Sequence, residues 1–378
     1  MTRAEHPSAE GALSRFFRSD VAGSWVLVLA VGIALLWANG PWWSTTYASV
    51  WLHPVHVGGR AFQDFATVRD WVNGGLMAVF FLVVGLEIGR ERRHGDLADT
   101  RTAVVPVAGA LGGMAGAGLV YAAVTHGGPG ASGWGIPMAT DIAFALGALA
   151  LLGRRVPPGL RVVLLTLAVA DDIGSVVVLA VFYSSRTFAP ALAGGGAGRL
   201  VPGVARAGTG RPDRTQTADP AAALETRVAP WSAFLVLPLF AVANAGITFH
   251  RGILAPPGAT AVFAGVALAR VVGKLAGITL ACLLVVRLGL GRLPDGVRWR
   301  HVAGGAAVAG IGFTVPLLIA ELAFLHDPPL VTAAELGLFA GSTLAFAVGA
   351  AILWWAGPGG PEAQVAPREE DDGPRILW

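Results

Sequence analysis

The sequence predicts an all-α membrane protein, a multi-pass helical bundle of about ten spans with inverted-topology three-helix repeats and two broken crossing helices. Three observations predict it. The composition is 54% hydrophobic and only 13% charged. Apolar runs near the ~20 residues that cross a bilayer recur at 22–39, 71–89, 102–124, 134–153, 158–184, 231–249, 259–288, 301–325 and 331–356. Two of these runs are interrupted near their middles by proline and glycine, in corresponding halves, which is the pattern of a transporter site built from repeats.

The elements follow in order. Arg3, Arg15 and Arg18 precede the first run without a small-residue cleavage site, so an uncleaved first span is expected. Residues 54–64, with Val55, Val57, Gly58, Gly59 and Phe62, fit a short outward hairpin around a Gly-Gly turn. Its edge would offer a pairing surface for a homodimer, and a plain loop accounts for it equally well. Residues 1–356 are expected to form a single transmembrane transporter domain, and 357–378, ending in the acidic cluster Glu369 to Asp372, a disordered cytoplasmic tail. The single cysteine, Cys282, rules out a disulfide within the chain. Glycine (52) and tryptophan (12) are abundant, as where helices pack closely or meet the membrane interface. The net charge of +3, from 27 basic and 24 acidic residues, is too small for a nucleic-acid binder.

Positive residues collect in cytoplasmic loops and fix orientation. With the N-terminus inside, Arg90, Arg92, Arg93 and Arg101, then Arg154, Arg155 and Arg161, fall inside as the rule requires. Arg206 to Arg227 and the loop with Arg287, Arg292, Arg298 and Arg300 belong inside as well. Both hold only if the weakly apolar stretch 187–204, which contains Arg199, crosses once. The expectation is therefore ten crossings of the cell (inner) membrane with both termini cytoplasmic. The competing reading makes 187–230 a large irregular loop and inverts the last four spans.

Four residues could carry chemistry. Asp171 and Asp172 lie mid-span in the run 158–184, where each ionisable group costs roughly 2.5–3.5 kcal/mol on insertion scales and so marks an ion or proton path. Their side chains are ~100° apart around a helix, close enough to approach one cavity. Two like charges held together resist simultaneous ionisation, which keeps a proton available, and oxygen ligands suit a small hard cation. Asp141, in Pro137-Met138-Ala139-Thr140-Asp141, falls where proline and glycine weaken the helix. There it would offset the positive end of the following half-helix, as a transport residue, a helix N-cap, or both. Lys274 is the only lysine among 27 basic residues. Arginine stays charged whereas a buried lysine can lose its proton, so titration or a simple salt bridge would explain the choice. Arg270 stands one turn away on the same face. A second break falls at Gly310-Ile311-Gly312-Phe313-Thr314-Val315-Pro316.

These stretches resemble the NhaA family of Na+/H+ antiporters, inverted-repeat transporters with broken helices. The resemblance rests on Gly75 to Phe81 with Gly85-Leu86-Glu87, Ala139 to Gly147, Ala170-Asp171-Asp172-Ile173-Gly174, Pro238 to Ala241 with Ala243 to Gly246, Gly273-Lys274, and Gly310 to Thr314, in family order from about 20 to 355. It implies that Asp171 and Asp172 bind the cation, Na+ or Li+, and protons. It also implies that Asp141 and Lys274 balance the crossed half-helix ends with Thr140 beside the break, and that Glu87, Arg90, Glu91 and Glu225 respond to pH. The implied activity is secondary-active export of Na+ or Li+ against entering H+, electrogenic, serving sodium and pH homeostasis. No enzyme chemistry and no cofactor are implied; the partners are the ions, membrane lipid and a second copy of the chain. Between Tyr183 and Trp231 the chain is shorter than the family pattern by roughly one helical hairpin. Around Glu225, Ala222, Ala223, Thr226 and Ala229 replace the expected basic and histidine residues, which implies a weakened or shifted pH activation.

Two other classes compete. One is a non-transporting homologue that has lost a helical hairpin; the other is a Na+-coupled symporter, which would need a roomy organic-substrate pocket.

Overall fold

A computed structural model of the chain describes residues 20–55, 66–94, 100–183 and 220–357. Each of the nine apolar runs forms helix. Among the described residues six helices are long and apolar enough to cross a bilayer by length and composition, or seven if the bent pair Trp25–Asn39 and Ser44–Trp51 is one span; those in the broken runs are shorter because their spans are divided. α1 (Asp20–Asn39) is followed after a bend of 113° by α2 (Ser44–Trp51). α3 (68–94) is started by a capping box: Thr67 Oγ1 accepts the Asp70 N–H at 3.2 Å and the Asp70 carboxylate accepts the Thr67 N–H at 2.8 Å. That cap places its start ahead of the apolar run at 71. α4 (Thr100–Thr125), α5 (Ile142–Leu152) and α6 (Pro158–Phe182) follow. Next come α7 (220–244), α8 (Ala259–Arg287), α9 (Trp299–Val308), α10 (Thr314–Ala323) and α11 (Pro328–Ala356). α3, α7 and α8 each pass through one π turn, at Val72–Leu76, Ser232–Val236 and Ala269–Gly273.

The two interrupted spans meet. Residues 139–141 and 311–313 are not helical, and the Asp141 N–H donates to the Ile311 carbonyl at 3.0 Å. The helix termini on either side are thus brought to one place at the centre of the bundle.

The two ends of the bundle differ. At one end the Arg155 guanidinium lies 3.2 Å over the Trp354 ring and donates to the Trp354 carbonyl at 3.2 Å, while His301 Nε2 stands 3.2 Å from the Gly357 oxygen. The arginine-rich turns after α5 and α8 are therefore at this basic end. At the far end, Tyr183 donates to Ser132 O at 2.6 Å, Ser132 donates to Ala323 O at 3.1 Å, and Asn39 donates to Ile247 O. Tyr47 of α2 closes the same end by donating to the Val242 and Ala243 carbonyls at 2.8 and 2.9 Å.

Three features were not expected. α2 is an extra short helix whose Tyr47 and Trp51 bury one face; their i, i+4 spacing is a helical signal in a segment that lies outside the apolar runs. The described part of α7 extends from Pro220, ahead of the apolar run at 231, and Ala221, Ala222 and Ala223 favour helix there. The π turns left no mark in hydropathy. Of the expected hairpin at 54–64, only the base is described: Pro54 bridges Thr67 antiparallel and the Val55 N–H donates to Ala66 O at 2.9 Å. Residues 56–65, the stretch 187–204 and the tail from 358 lie outside the described residues.

α4 and the second half of α8 make the most extensive helix contact. It is a backbone contact: a Cβ on Gly277 would run into the carbonyl of Gly112, and one on Gly116 into the carbonyl of Gly273. Close approach of this kind replaces the hydrophobic drive that lipid removes. Outside the core, Leu29, Ile33, Leu36, Leu119, Phe182 and Leu280 are exposed, as a lipid-facing surface requires. Gly277→Ala is therefore expected to cost about 1–3 kcal/mol by overpacking against backbone. Gly32→Ala, with nothing within 4 Å of its Cβ, should be neutral or slightly stabilising. Thermal denaturation in detergent checks this; equal effects at both glycines would refute the contact.

Candidate functional site

Asp171 sits at the middle of α6, is fully buried, and its Oδ2 pairs with Lys274 Nζ at 2.7 Å. Lys274 is also fully buried and donates at 3.0 Å to Thr140 Oγ1, whose own hydrogen goes to the Ala309 carbonyl at 2.8 Å. One chain of contacts thus joins α6, α8 and both interrupted spans. Among the described residues Asp171 Oδ1 has no hydrogen-bond partner, and neither has the buried Ser175 Oγ one turn along the same helix. Asp172 is half-buried beside them. Two oxygens are left over in a place where leaving oxygens over is expensive.

Asp141 serves the positive helix ends. Its backbone N–H is taken by Ile311 O. Its carboxylate caps α5 through the Phe144 N–H at 3.3 Å and reaches the start of α10 through Thr314 Oγ1 at 3.0 Å and the Thr314 N–H at 3.5 Å. A single carboxylate therefore faces two N-termini at once.

Arg270 serves the opposite, carbonyl-rich ends. It is fully buried; Nε donates to Gly310 O at 2.8 Å and one terminal nitrogen to Ala139 O at 3.4 Å. A Cβ on Gly312 would collide with this guanidinium, so the glycine is required by the arginine's approach. The π turn at Ala269–Gly273 carries Arg270 immediately before Lys274, and π bulges gather at functional sites. Ser342 of α11 completes the crossing by accepting from the Gly312 N–H at 3.3 Å and donating to its carbonyl at 3.1 Å.

The residues named from the sequence are thus brought together in part. Asp171, Asp172, Thr140, Asp141 and Lys274 share the crossing. Lys274 reaches Asp171 and Thr140 rather than a bare helix terminus, and Arg270 meets the carbonyl ends. Ser342 and Ser175 were missed: a lone serine in an apolar helix gives no periodic signal, although 175 is one turn from Asp171. Glu87, Arg90 and Glu91 lie on α3 away from the crossing, and their side chains are outside the described residues. Glu225 is buried in the first half of α7, which packs against the part of α3 that follows its π turn, Met77–His94.

The comparison with known proteins is decisive about ancestry. The family described as Na+/H+ antiporter 1 matches in two overlapping stretches, residues 14–207 and 190–353. The chain is 41% identical over 392 residues to the Na(+)/H(+) antiporter NhaA of Acidovorax sp. (strain JS42), covering 91% of this chain and 92% of that protein. It is 40% identical over 390 residues to the Na(+)/H(+) antiporter NhaA 2 of Pseudomonas syringae pv. syringae (strain B728a), with 93% and 97% covered. To the Na(+)/H(+) antiporter NhaA 2 of Sorangium cellulosum (strain So ce56) it is 38% identical over 421 residues, with 90% of each covered. A buried acid and lysine at the crossing of two broken helices, together with these full-length matches, establish that the chain belongs to the NhaA-type Na+/H+ antiporter family.

Proposed function

We propose that the protein is a secondary-active antiporter that exports Na+, or Li+, in exchange for protons entering from outside. The observation that carries this is the fully buried Asp171–Lys274 pair at 2.7 Å, next to Asp172 and two oxygens without partners. An arriving monovalent cation and the Lys274 ammonium compete for the same carboxylate. When the cation binds between Asp171 and Asp172, one proton leaves the Asp172 carboxyl and one leaves Lys274. Two protons per cation move net charge, so exchange is electrogenic and driven by the proton-motive force. Nothing favours a non-transporting homologue. The reading is transport, without covalent chemistry or a cofactor.

Asp141 and Arg270 support alternation by neutralising the crossing on both signs, so that the two broken spans can be held apart from solvent. Together with Thr140 and Lys274 they are the charge-balancing set. The packing of the Glu225 helix along α3 supports a shared pH-responsive region of Glu87, Arg90, Glu91 and Glu225.

The setting we propose is the bacterial inner membrane, with ten crossings, both termini cytoplasmic, residues 1–356 as one transporter domain, and a homodimer paired through 54–64. Tyr183 stands at the far end, while α7 runs from the basic end to the far end beside α3. That Tyr183 and Pro220 stand at opposite ends of the bundle supports the reading of ten crossings.

Three measurements follow. In inverted vesicles, Na+ addition should collapse a pre-formed pH gradient and Asp172→Asn should abolish the response by at least an order of magnitude. No response from parent protein across the neutral to alkaline range would sink the antiporter reading. Lys274→Met should destabilise the protein by about 3–5 kcal/mol, since it strands a buried carboxylate. Adding Asp171→Asn should restore most of that loss in a detergent melt; a double variant no more stable than Lys274→Met would mean the pair is not the source. In a Cys282→Ser background, Thr215→Cys and His250→Cys should react with an impermeant thiol reagent from opposite faces of oriented vesicles. Labelling from the same face would overturn the ten-crossing topology.

A further inference from the structure

Away from the crossing, the far end of the bundle contains a second polar space, a cavity of about 220 Å3. Arg69 of α3, Glu321 of α10 and Glu335 of α11 line it, with Asn244 and Thr332. Asn244 is held by a reciprocal amide pair with buried Asn73, at 3.1 and 2.7 Å. Glu335 is only 7% exposed, yet among the described residues it makes neither a hydrogen bond nor an ion pair. Glu321 Oε1 accepts no hydrogen bond and lies 3.9 Å from Arg69, a loose contact, and Arg69 Nε donates none.

A buried carboxyl without a partner, turned toward a space large enough for water, is a group left open for a ligand. Two carboxylates face one guanidinium here, so the cavity carries unmatched negative charge when both are ionised. A monovalent metal cation would have to settle beside the Arg69 guanidinium, which repels it. A proton satisfies the orphan oxygen and the charge together, and two neighbouring carboxyls hold one proton more readily than either alone.

We propose that this cavity is a proton-binding site distinct from the crossing, with Glu335 as acceptor and Glu321 as the group that shares the proton. It faces the outer water if the cytoplasmic termini proposed above are correct. The groups acting on Glu335 are Glu321 and Arg69, with Tyr47 of α2; Asp70 acts on Glu321 in turn. Other helices packed against α11 bring Arg270, beside Gly341, and His301, at the basic end. Neither reaches the cavity. Glu335 and Ser342 lie seven residues apart on one face of α11, about 10 Å along its axis, and Ser342 holds Gly312 of the crossing. Protonation in the cavity therefore acts on the helix that braces the central site.

The test is pH-difference infrared spectroscopy of the full chain in lipid nanodiscs. The parent should show a protonated-carboxyl band that Glu335→Gln lacks, and Glu321→Gln should move the midpoint of that band. Asp172→Asn, which removes exchange under the reading above, should leave it in place, so failure of the central mechanism and failure of this proposal are separable. If Glu335→Gln does not fold, Glu335→Asp should keep the band with a displaced midpoint. Spectra of Glu335→Gln or Glu335→Asp that superimpose on the parent throughout would overturn the proposal. So would loss of the band on adding Na+ at fixed pH, which would make the cavity a cation site.

Discussion

The contact on which the rest depends is an ion pair buried completely within the bundle. Asp171 and Lys274 are both fully buried, and charges moved out of water are stabilised only when geometry is good and their remaining atoms find partners. Lys274 meets that condition through Asp171 and Thr140. Asp171 meets it on one oxygen only. The pair thus holds the fold together through one carboxylate oxygen and leaves the other open, and the exchange proposed for Asp171 draws on both properties.

Keeping such a pair at the centre of a bilayer requires the neighbouring backbone to be neutralised. Breaking two helices exposes four termini, and unsatisfied amide groups in hydrocarbon cost several kcal/mol each. The division of labour is by sign. Asp141 takes N–H groups at the starts of α5 and α10, Arg270 takes the carbonyls of Ala139 and Gly310, and Thr140 takes that of Ala309. Neither charged side chain would be tolerable without the crossing, and the crossing would not be tolerable without them. The glycine contact between α4 and α8 is part of the same arrangement, since it sets how deep α8 lies and hence how far Lys274 reaches.

Much of this was legible beforehand for a physical reason. Bilayer thickness imposes a length on every span, so all nine apolar runs were found, and a charge inside one is conspicuous because it is costly. Asp141, Asp171, Asp172 and Lys274 stood out on that ground alone. Arg270 was visible as a charge, but its acceptors were not, since a backbone carbonyl leaves no trace in sequence. Ser175 and Ser342 were invisible because a hydroxyl in an apolar helix usually bonds its own backbone. Helix α2 was missed because its burial is decided by Tyr47 reaching carbonyls nearly two hundred residues away.

The choice of residue types along α8 follows from the same physics. Arg270 and Lys274 are adjacent turns of one helix, both cationic and both fully buried, yet they face different oxygens. Carbonyls at a helix break never change charge, so the group that holds them gains from a cation that does not release its proton, and a planar guanidinium reaches two of them at once. Under the exchange proposed above, a carboxylate given up to an incoming ion requires the reverse, a compact ammonium able to part with its proton. Exchanging the two types would leave net charge unchanged and still fail at both positions. The chain uses arginine at every other Lys/Arg position, so the lysine at 274 is the residue type that the proposed exchange at Asp171 calls for.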